Sequence, residues 1–373
     1  MGGETRATVS RKADPVAGVP RFAEEQLAAF ATAAFAAAGL GVAEAERAAD
    51  FLLIADRRGI ESHGVARLAG FVRRLRAGLI DPAAELTVDR ETPATIAMSA
   101  NNGLGLLLAP AAMERCIAKA EEIGLCLATV RASNHFGIAG AYALMAAERG
   151  LGGLAMTNAS QLVVPIFGAK PMLGTNPLAF AVPTGAGRPL VLDMSTSTVA
   201  WGKIELARRA GLPIPLGWGV TDDGRPTTDP AAVRWLLPLG GERDTAGHKG
   251  YGLGVMVDIL CGILSGSATS THIARSTSTT PGQGIGHTFL AWQIDAFRDR
   301  DEFLAEVDTL IAELRATPPA PGHEETGVLI PGDPETMAEE RNRHKGIPVS
   351  GEVLAELRTM AEEIGIEFTL PVS

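Results

Sequence analysis

Cysteine is scarce in this 373-residue chain, and its three copies, at positions 116, 126 and 261, form no C-x-x-C pair. An odd number of scattered cysteines argues against a disulfide framework and against a structural zinc site, and it fits a reducing compartment. The histidines also show no H-E-x-x-H or other metal-ligand spacing. We therefore expect a cytoplasmic protein that binds no metal.

Long apolar runs are lacking as well. The stretch "GLGLLLAPAAM" is too short to span a bilayer, which takes about 20 apolar residues, and "YGLGVMVDILCGILSG" is interrupted by Asp258. The first twenty residues contain basic side chains but no apolar core of a secretory signal. We expect a soluble protein that has no membrane partner, in which residues 1–20 form a flexible extension.

Positive charge is in deficit. The formal net charge is −10, and runs of one sign are no longer than pairs and triplets, so we expect no nucleic-acid partner. An apolar fraction of 46% with 20% charged residues is typical of a globular protein with a large core. The length predicts two lobes or one large α/β unit.

Periodicity and glycine stops predict helices at both ends of the chain and a mixed middle. Residues 21–82 are predicted to be helical, with a third helix at about 63–76. From residue 85 onward, strand-like runs such as "LCLATV" and "PLVLDM" alternate with helical segments, which predicts an α/β core. Three further helices are predicted at 301–316, 334–344 and 350–364, the last with Ser350 as its N-cap.

The glycines after "ATIAMS" imitate a dinucleotide-binding turn without completing it. Gly103 and Gly105 follow a predicted strand, but Leu108 stands where the third glycine belongs. No acidic residue ends a second strand about twenty residues further on, and the chain has no G-x-x-x-x-G-K-[ST] motif. Chance explains the pattern better, so a dinucleotide, if bound, would not use the usual glycine turn.

The stretch "ESHGVARL" predicts an anion site. If a helix starts near Ser62, His63 and Arg67 are four residues apart on its first turn. The free N–H groups of that turn and the arginine fork would suit a carboxylate, and the same field would lower the His63 pKa. The alternative is that Ser62 is an N-cap and that the other two side chains are merely solvated.

The stretch "NHFGIAGAY" places His135 just past a predicted strand and ahead of the next helix. In open α/β sheets ligands bind at that edge, and Gly137 permits close backbone approach. The alternative is a histidine that caps a turn.

Three other segments are individually weak candidates for a cofactor site. Thr175 lies in a turn before an apolar strand, Asp193 ends a strand followed by Ser195 and further hydroxyls, and Lys249 stands between glycines in "GHKGYG". A lysine in this setting can pair with phosphate, form a Schiff base or be solvated.

Taken together and in order, these segments resemble the type-2 malate/L-lactate dehydrogenase family. The motifs are "RGIESHGVARL", "SNHFGIAGAYA", "GTNPLAFAVP", "LDMSTS", "GKIELA", "PTTDP", "LPLGG", "GHKGYGL" and "IPGDPE", and the resemblance covers roughly Phe22 to Ile366. It implies an NAD(P)-dependent oxidoreductase and homodimer. The implied α/β fold has a non-Rossmann NAD(P)-binding and dimerisation body of mixed sheets and helices at 85–299. A helical substrate-side layer would be formed by 21–84 and about 300–373.

The resemblance also implies residue roles. His135 matches the acid–base histidine, Ser62 and His63 match a serine–histidine pair at the substrate, and Arg67 matches the arginine that binds the substrate carboxylate. Thr175 falls on a substrate-contacting position. The implied cofactor contacts are Phe136, Gly137, Asp193, Met194, Ser195, Lys249, Gly332 and Asp333. The predicted reaction interconverts a small 2-hydroxy acid of the malate, lactate or sulfolactate type and its 2-oxo acid, which needs a base near pH 7.

The sequence departs from the family pattern in three places. Lys203 stands near the position of the acidic residue that members reducing cyclic imines carry, which lowers the case for imine reduction. Trp201 replaces a smaller or basic residue, and the Ser/Thr-rich loop 265–286 is atypical. The alternatives are a ureidoglycolate-type dehydrogenase, a cyclic-imine carboxylate reductase and a catalytically silent protein that binds NAD(P) or a metabolite. A pyridoxal-phosphate enzyme that uses Lys249 is more remote.

Overall fold

The computed structural model describes residues 18–370, so residues 1–17 of the predicted extension lie outside the described residues. The helices of the described chain are α1 (Glu24–Ala37), α2 (Val42–Arg57), α3 (Leu68–Arg76), α4 (Gly105–Ile123), α5 (Gly140–Glu148), α6 (Trp201–Ala210), α7 (Gly247–Asp258), α8 (Arg300–Arg315), α9 (Asp333–Lys345) and α10 (Gly351–Ile364). The strands are β1 (Arg21–Phe22), β2 (Thr87–Glu91), β3 (Thr95–Ser99), β4 (Leu125–Ser133), β5 (Leu151–Thr157), β6 (Leu178–Val182), β7 (Leu190–Met194), β8 (Gly219–Val220), β9 (Trp235–Leu236), β10 (Ile285–Gln293) and β11 (Ile347–Pro348).

One seven-stranded sheet organises the molecule, in the order β2-β3-β4-β10-β5-β6-β7. Only β3 and β4 run parallel, and every other neighbouring pair is antiparallel. The predicted mixed α/β fold is therefore confirmed. All seven of its strands coincide with strand-like runs of the sequence, and six of them carry buried residues, whereas β2 is exposed along its whole length.

The two largest hydrophobic cores of the described residues contain six of the helices. One gathers the apolar faces of α1, α2, α3 and α10 around Phe30, Phe35 and Met360. The other packs α4 and α5 onto the sheet around Met113, Tyr142 and Phe289. The buried stripes recur every three to four residues along these helices, which is the period of a helix with one face in a core.

The predicted third helix starts later than the sequence indicates. The chain from Ile60 makes tight turns, with a single 3₁₀ turn at Val65–Arg67, and α3 begins only at Leu68. The predicted helical stretch from residue 21 also begins with β1, which pairs with β11 near the other end of the chain. Ser350 does cap α10, and its Oγ accepts a hydrogen bond from the Val353 N–H at 3.4 Å.

The long glycine-punctuated segment after residue 246 forms α7 and then widens into a π-helical turn at Ile259–Ile263. The Ser/Thr-rich segment that follows is a loop with one 3₁₀ turn, as predicted. Across residues 18–370, no helix combines the length and the apolar character that crossing a membrane requires.

Candidate active site

The segment from Ser62 to Arg67 is a compact turn that precedes α3. The His63 N–H donates to the Ile60 carbonyl at 3.0 Å, and the Arg67 N–H donates to the Gly64 carbonyl at 2.8 Å. The predicted helix N-terminus at Ser62 is therefore wrong, and so is its role as an N-cap. Instead, the Ser62 Oγ lies 2.8 Å from the His63 Nδ1, and the Arg67 Nε donates to the Ser62 carbonyl at 2.8 Å.

A buried carboxyl group that the sequence did not identify as part of the site makes a hydrogen bond to this turn. Asp56, on the last turn of α2, is 2% exposed and accepts a hydrogen bond from the Val65 N–H at 2.8 Å. A Cβ atom on Gly64 would lie 2.0 Å from that carboxyl group, so glycine is the residue that fits. Burial raises the Asp56 pKa to about 8, and the Val65 hydrogen bond opposes this rise. No sequence signal distinguishes Asp56 from the other acids of a helix.

His135 lies between β4 and α5, as predicted, and its backbone is fixed from two sides. Its N–H donates to the Gln283 Oε1 at 3.1 Å, and its carbonyl packs on Gly105, where a Cβ atom would lie 2.4 Å away. The close approach accounts for Gly105 structurally. Gly137, with a φ of 83°, turns its N–H toward the His135 Nδ1 at 3.2 Å.

The two histidines converge in space. Their ring centroids are 5.6 Å apart with the planes inclined by 26°, and Phe71 of α3 lies 5.9 Å from the His135 ring. Segments that are distant in the sequence therefore build one cluster, in which Arg67 supplies a cation next to two imidazoles.

Both imidazoles are held neutral near pH 7. Burial lowers the His63 pKa to about 4, with the Arg67 cation lowering it further. The His135 pKa lies well below its usual value because of burial first, and then because of His63, Arg67 and His287. The predicted lowering of the His63 pKa is confirmed in direction. The predicted Arg67 cation contributes to it, but desolvation, which the sequence did not predict, is the largest cause.

A third histidine, for which the sequence predicts no role, stacks from the sheet on Phe136, the residue after His135. His287 of β10 is fully buried between two hydroxyls, with its Nδ1 2.8 Å from the Thr157 Oγ1 and its Nε2 2.8 Å from the Ser133 Oγ. Burial lowers its pKa to about 3. The only signal in the sequence is a polar residue inside the apolar run "IGHTFLAW".

Phe136 lies in the core rather than at an open surface. Its ring stacks between His287, at 4.5 Å, and Tyr142, at 4.4 Å. Its carbonyl accepts a hydrogen bond from the Tyr142 hydroxyl at 2.6 Å. Its side chain therefore fixes the segment that carries His135.

A second group of predicted site residues gathers where β7 ends. The Thr175 carbonyl accepts from the Thr196 N–H at 2.8 Å, and the neighbouring Asn176 Nδ2 donates to the Gly254 carbonyl of α7 at 2.9 Å. Ser195 lies in the same segment, and Lys249 is exposed on the first turn of α7. Among the described residues, no hydrogen bond joins Thr175 to the histidine cluster, and its carbonyl is bound to Thr196 instead.

Asp193 connects this second group to the segment after His135. Its Oδ2 accepts from the Gly140 N–H, the first residue of α5, at 2.8 Å. Burial raises its pKa to about 6, and the Gly140 hydrogen bond and Arg58 counteract the rise. Met194 beside it pairs with Leu178 in the sheet.

The "PGD" turn packs against the same strand. Gly332, with a φ of 96°, approaches the Val191 carbonyl so closely that a Cβ atom would lie 3.1 Å from it. Both carboxylate oxygens of Asp333 are already used, one by the Ile330 N–H at 2.8 Å and one by Arg315 at 2.7 Å. Asp333 therefore shapes the turn and anchors α8 to it.

The protein has an α/β fold with a mixed sheet. Its two neutral histidines and Arg67 lie near one another and are suited to acid–base chemistry on a small anion. The chain belongs to the malate/L-lactate dehydrogenase family, whose match covers residues 22–358. This is a family of oxidoreductases that act on 2-hydroxy acids, and the predicted membership is confirmed.

Individual relatives agree with this membership. The chain is 39% identical over 351 residues to a malate dehydrogenase of Pyrococcus abyssi, covering 93% of this chain and 96% of that protein. It is 37% identical to an L-sulfolactate dehydrogenase of Methanothermobacter thermautotrophicus, covering 86% and 91%. The solved structure of malate dehydrogenase from Pyrococcus horikoshii OT3 superposes with a TM-score of 0.86 at 35% identity, covering 94% of this chain and 97% of that one.

Proposed function

We propose that this protein is an NAD(P)-dependent dehydrogenase that interconverts a small 2-hydroxy acid and its 2-oxo acid. The observation that carries the proposal is the pair of neutral histidines, with ring centroids 5.6 Å apart, beside Arg67. Oxidation of a 2-hydroxy acid needs a cation for the carboxylate and a neutral base for the hydroxyl proton. The three relatives named above act, by their names, on malate or sulfolactate, which are 2-hydroxy acids.

In this proposal Arg67 binds the substrate carboxylate, and His135 exchanges the proton of the C2 oxygen. The His135 Nδ1 faces the Gly137 N–H, which leaves Nε2 as the ring atom for the substrate. His63, oriented by the Ser62 hydroxyl, donates or accepts a second hydrogen bond at the same oxygen. A bound carboxylate also screens Arg67, which raises the pKa of His135 and makes proton exchange easier.

The residues near the end of β7 fit a nicotinamide dinucleotide. The Lys249 ammonium and the Ser195 hydroxyl are suitable donors for phosphate, and the Asp193 carboxylate is a suitable acceptor for a ribose hydroxyl. The residues that we propose as contacts are Gly137, Asp193, Met194, Ser195, Lys249 and Gly332, together with the backbone of Phe136 and of Asp333, whose side chains are engaged within the fold. The dinucleotide, when bound, supplies the site that accepts or returns hydride at C2.

Two observations support a non-Rossmann mode of dinucleotide binding. Only one pair of strands in the sheet is parallel, whereas a Rossmann site forms in a mostly parallel sheet. In addition, Gly105 is covered by the backbone of residues 134–135, so the incomplete glycine pattern has a packing role. The choice between NAD and NADP stays open in this proposal.

We further propose that the substrate and the cofactor bind to different parts of the chain, and that the protein is a homodimer. The core around α1–α3 and α10 belongs to the substrate-side layer (21–84 with about 300–373), and residues 85–299 form the cofactor and dimerisation body. Met256, Ile259 and Ile263 line one exposed apolar stripe of α7 and its extension, which supports an interface with a second copy. Three buried free thiols support a cytoplasmic location.

The proposal is tested by a turnover screen. The purified protein is assayed with NADH and with NADPH against a panel of 2-oxo acids, with a cyclic-imine carboxylate and the ureidoglycolate oxidation reaction as separate arms. We expect oxidation of the reduced cofactor with at least one 2-oxo acid of three or four carbons. Cofactor binding without turnover on any arm would contradict the proposal and favour a silent binding protein, and turnover of the imine alone would reassign the reaction.

A further inference from the structure

One face of α3 carries two arginines on either side of the histidine cluster. Arg67, Phe71 and Arg74 are spaced by four and three residues, which places them on one face of the helix and of the turn before it. Phe71 contacts His135, with ring centroids 5.9 Å apart. The face therefore runs from the proposed carboxylate site, past the proposed acid–base residue, to Arg74.

Arg74 is buried and only partly hydrogen-bonded. It is 6% exposed, and its Nη1 donates to the carbonyls of Ser276, at 3.3 Å, and Ser278, at 3.0 Å. Its Nε and Nη2 are also buried, and neither finds a partner anywhere in residues 18–370. Burial lowers its pKa, and no acidic side chain counteracts this. A buried cation with two donors that make no hydrogen bond lowers the stability of the fold, unless an anion binds to those donors.

The two unpartnered nitrogens of Arg74, Nε and Nη2, are the pair that binds carboxylates in other arginines of this chain. Arg131 holds Asp89 through its Nε at 2.7 Å and its Nη2 at 3.1 Å. Arg149 holds Glu121 through the same two nitrogens, at 2.9 Å and 2.6 Å. These two nitrogens form the parallel fork that matches two oxygens of one anion. In Arg74 neither of these two nitrogens has a hydrogen-bond partner within residues 18–370.

Building on the proposed function, we propose that Arg74 binds a second anionic group of the substrate, a carboxylate or a sulfonate. Arg67 then binds the substrate carboxylate at C1, and His135 exchanges the proton of the oxygen at C2. Arg74 binds the anionic group at the other end of the substrate. Seven residues of helix advance by about 10.5 Å, an interval suited to a four-carbon diacid with a guanidinium at each end. The substrate class is a 2-hydroxy acid with two anionic groups.

The loop over Arg74 controls access to the fork. Arg275, Ser276 and Thr277 are exposed, and the bonds from Nη1 hold this stretch over the guanidinium. Gln283, at the base of the same loop, accepts from the His135 N–H and donates its own N–H to the Asn134 Oδ1. The loop must lift for the anion to reach Arg74, and its anchor lies on the backbone of the acid–base residue.

The test compares matched substrates. Oxaloacetate and 3-sulfopyruvate carry the second anion, whereas 2-oxobutyrate has the same chain length as oxaloacetate without it. In the wild type we expect kcat/KM to be at least tenfold higher for one of the dianions than for 2-oxobutyrate. Arg74→Gln should lower that ratio by about 10- to 100-fold, since a bidentate charged contact is lost. Arg74→Lys should give an intermediate ratio. The control is Arg76→Gln, which removes an exposed charge from the same helix and should keep the ratio within about twofold.

Each outcome decides a different statement. No turnover of any 2-oxo acid by the wild type overturns the proposed function itself. Wild-type turnover with no preference for a second anion leaves the proposed function standing and overturns this inference, whether or not Arg74→Gln folds. A loss in Arg74→Gln that is equal for 2-oxobutyrate and for both dianions also overturns it, because a structural role would act on all substrates alike.

Discussion

His63 and His135 would be solvated and titrate near pH 6.5 in an unfolded chain. The fold removes them from water and sets Arg67 beside them, and both effects disfavour the imidazolium. A neutral ring near pH 7 suits oxidation of a hydroxyl group, in which the base must accept a proton. The reverse direction needs the protonated ring, so we associate it with a bound carboxylate that screens Arg67.

At the same scale, Asp56 is an acid kept neutral for a structural reason. Its folded pKa of about 8 lies above the ordinary value of 3.8, so the folded state binds a proton that the unfolded state releases. The stability that this proton contributes is complete below pH 3.8 and is lost as the pH rises toward 8.

We predict that Asp56→Asn changes how stability depends on pH. The amide mimics the neutral carboxyl, so the free energy of unfolding of the variant relative to the wild type should rise by about 2 kcal/mol between pH 6 and pH 8. Urea unfolding across this range measures the difference, in which the shared histidine titrations cancel. Glu46→Gln, which removes an exposed carboxylate from the same helix, should show a flat difference. A flat difference for Asp56→Asn as well would mean that the carboxyl is already ionised at pH 6.

At the scale of elements, the turn from Ser62 to Arg67 is a rigid part of the site because α2 supports it. Asp56 binds its backbone through Val65, and Gly64 leaves the space that the carboxyl needs. The φ of Gly64 is −89°, outside the left-handed range, and the space beside the Asp56 carboxyl requires glycine here. The turn orients Ser62, His63 and Arg67 as one unit.

We predict opposite effects for two nearby glycine substitutions. Gly64→Ala inserts a Cβ atom 2.0 Å from the Asp56 carboxyl, so it should destabilise the protein by about 1–3 kcal/mol and lower kcat/KM. Gly70→Ala, within α3, meets no atom within 4 Å and should stabilise by about 0.5–1 kcal/mol with activity retained. Thermal unfolding and steady-state kinetics of both variants provide the comparison. Wild-type stability and activity in Gly64→Ala would show that the turn adapts freely.

At the scale of the molecule, the sequence predicted the seven strands of the sheet, the helices and the family, because each depends on local patterns, but it did not predict the strand order. Glycine stops and apolar runs predicted most of the helices and strands, and the order of the motifs along the chain predicted the family. The start of α3 was predicted wrongly because the turn before it is determined by Asp56, a tertiary contact without a local signature. For the same reason the buried roles of His287 and Gln283 could not be predicted.

The central claim is that segments far apart in the chain converge to make His135 the acid–base residue. The most direct measurement is the turnover of His135→Ala with the best 2-oxo acid, alongside a fluorescence titration of the reduced cofactor. We predict a fall in kcat of about 10²- to 10⁴-fold, with cofactor affinity within about twofold of the wild type. His323→Ala, an exposed histidine outside the site, should retain full activity. Unchanged turnover in His135→Ala would contradict the account.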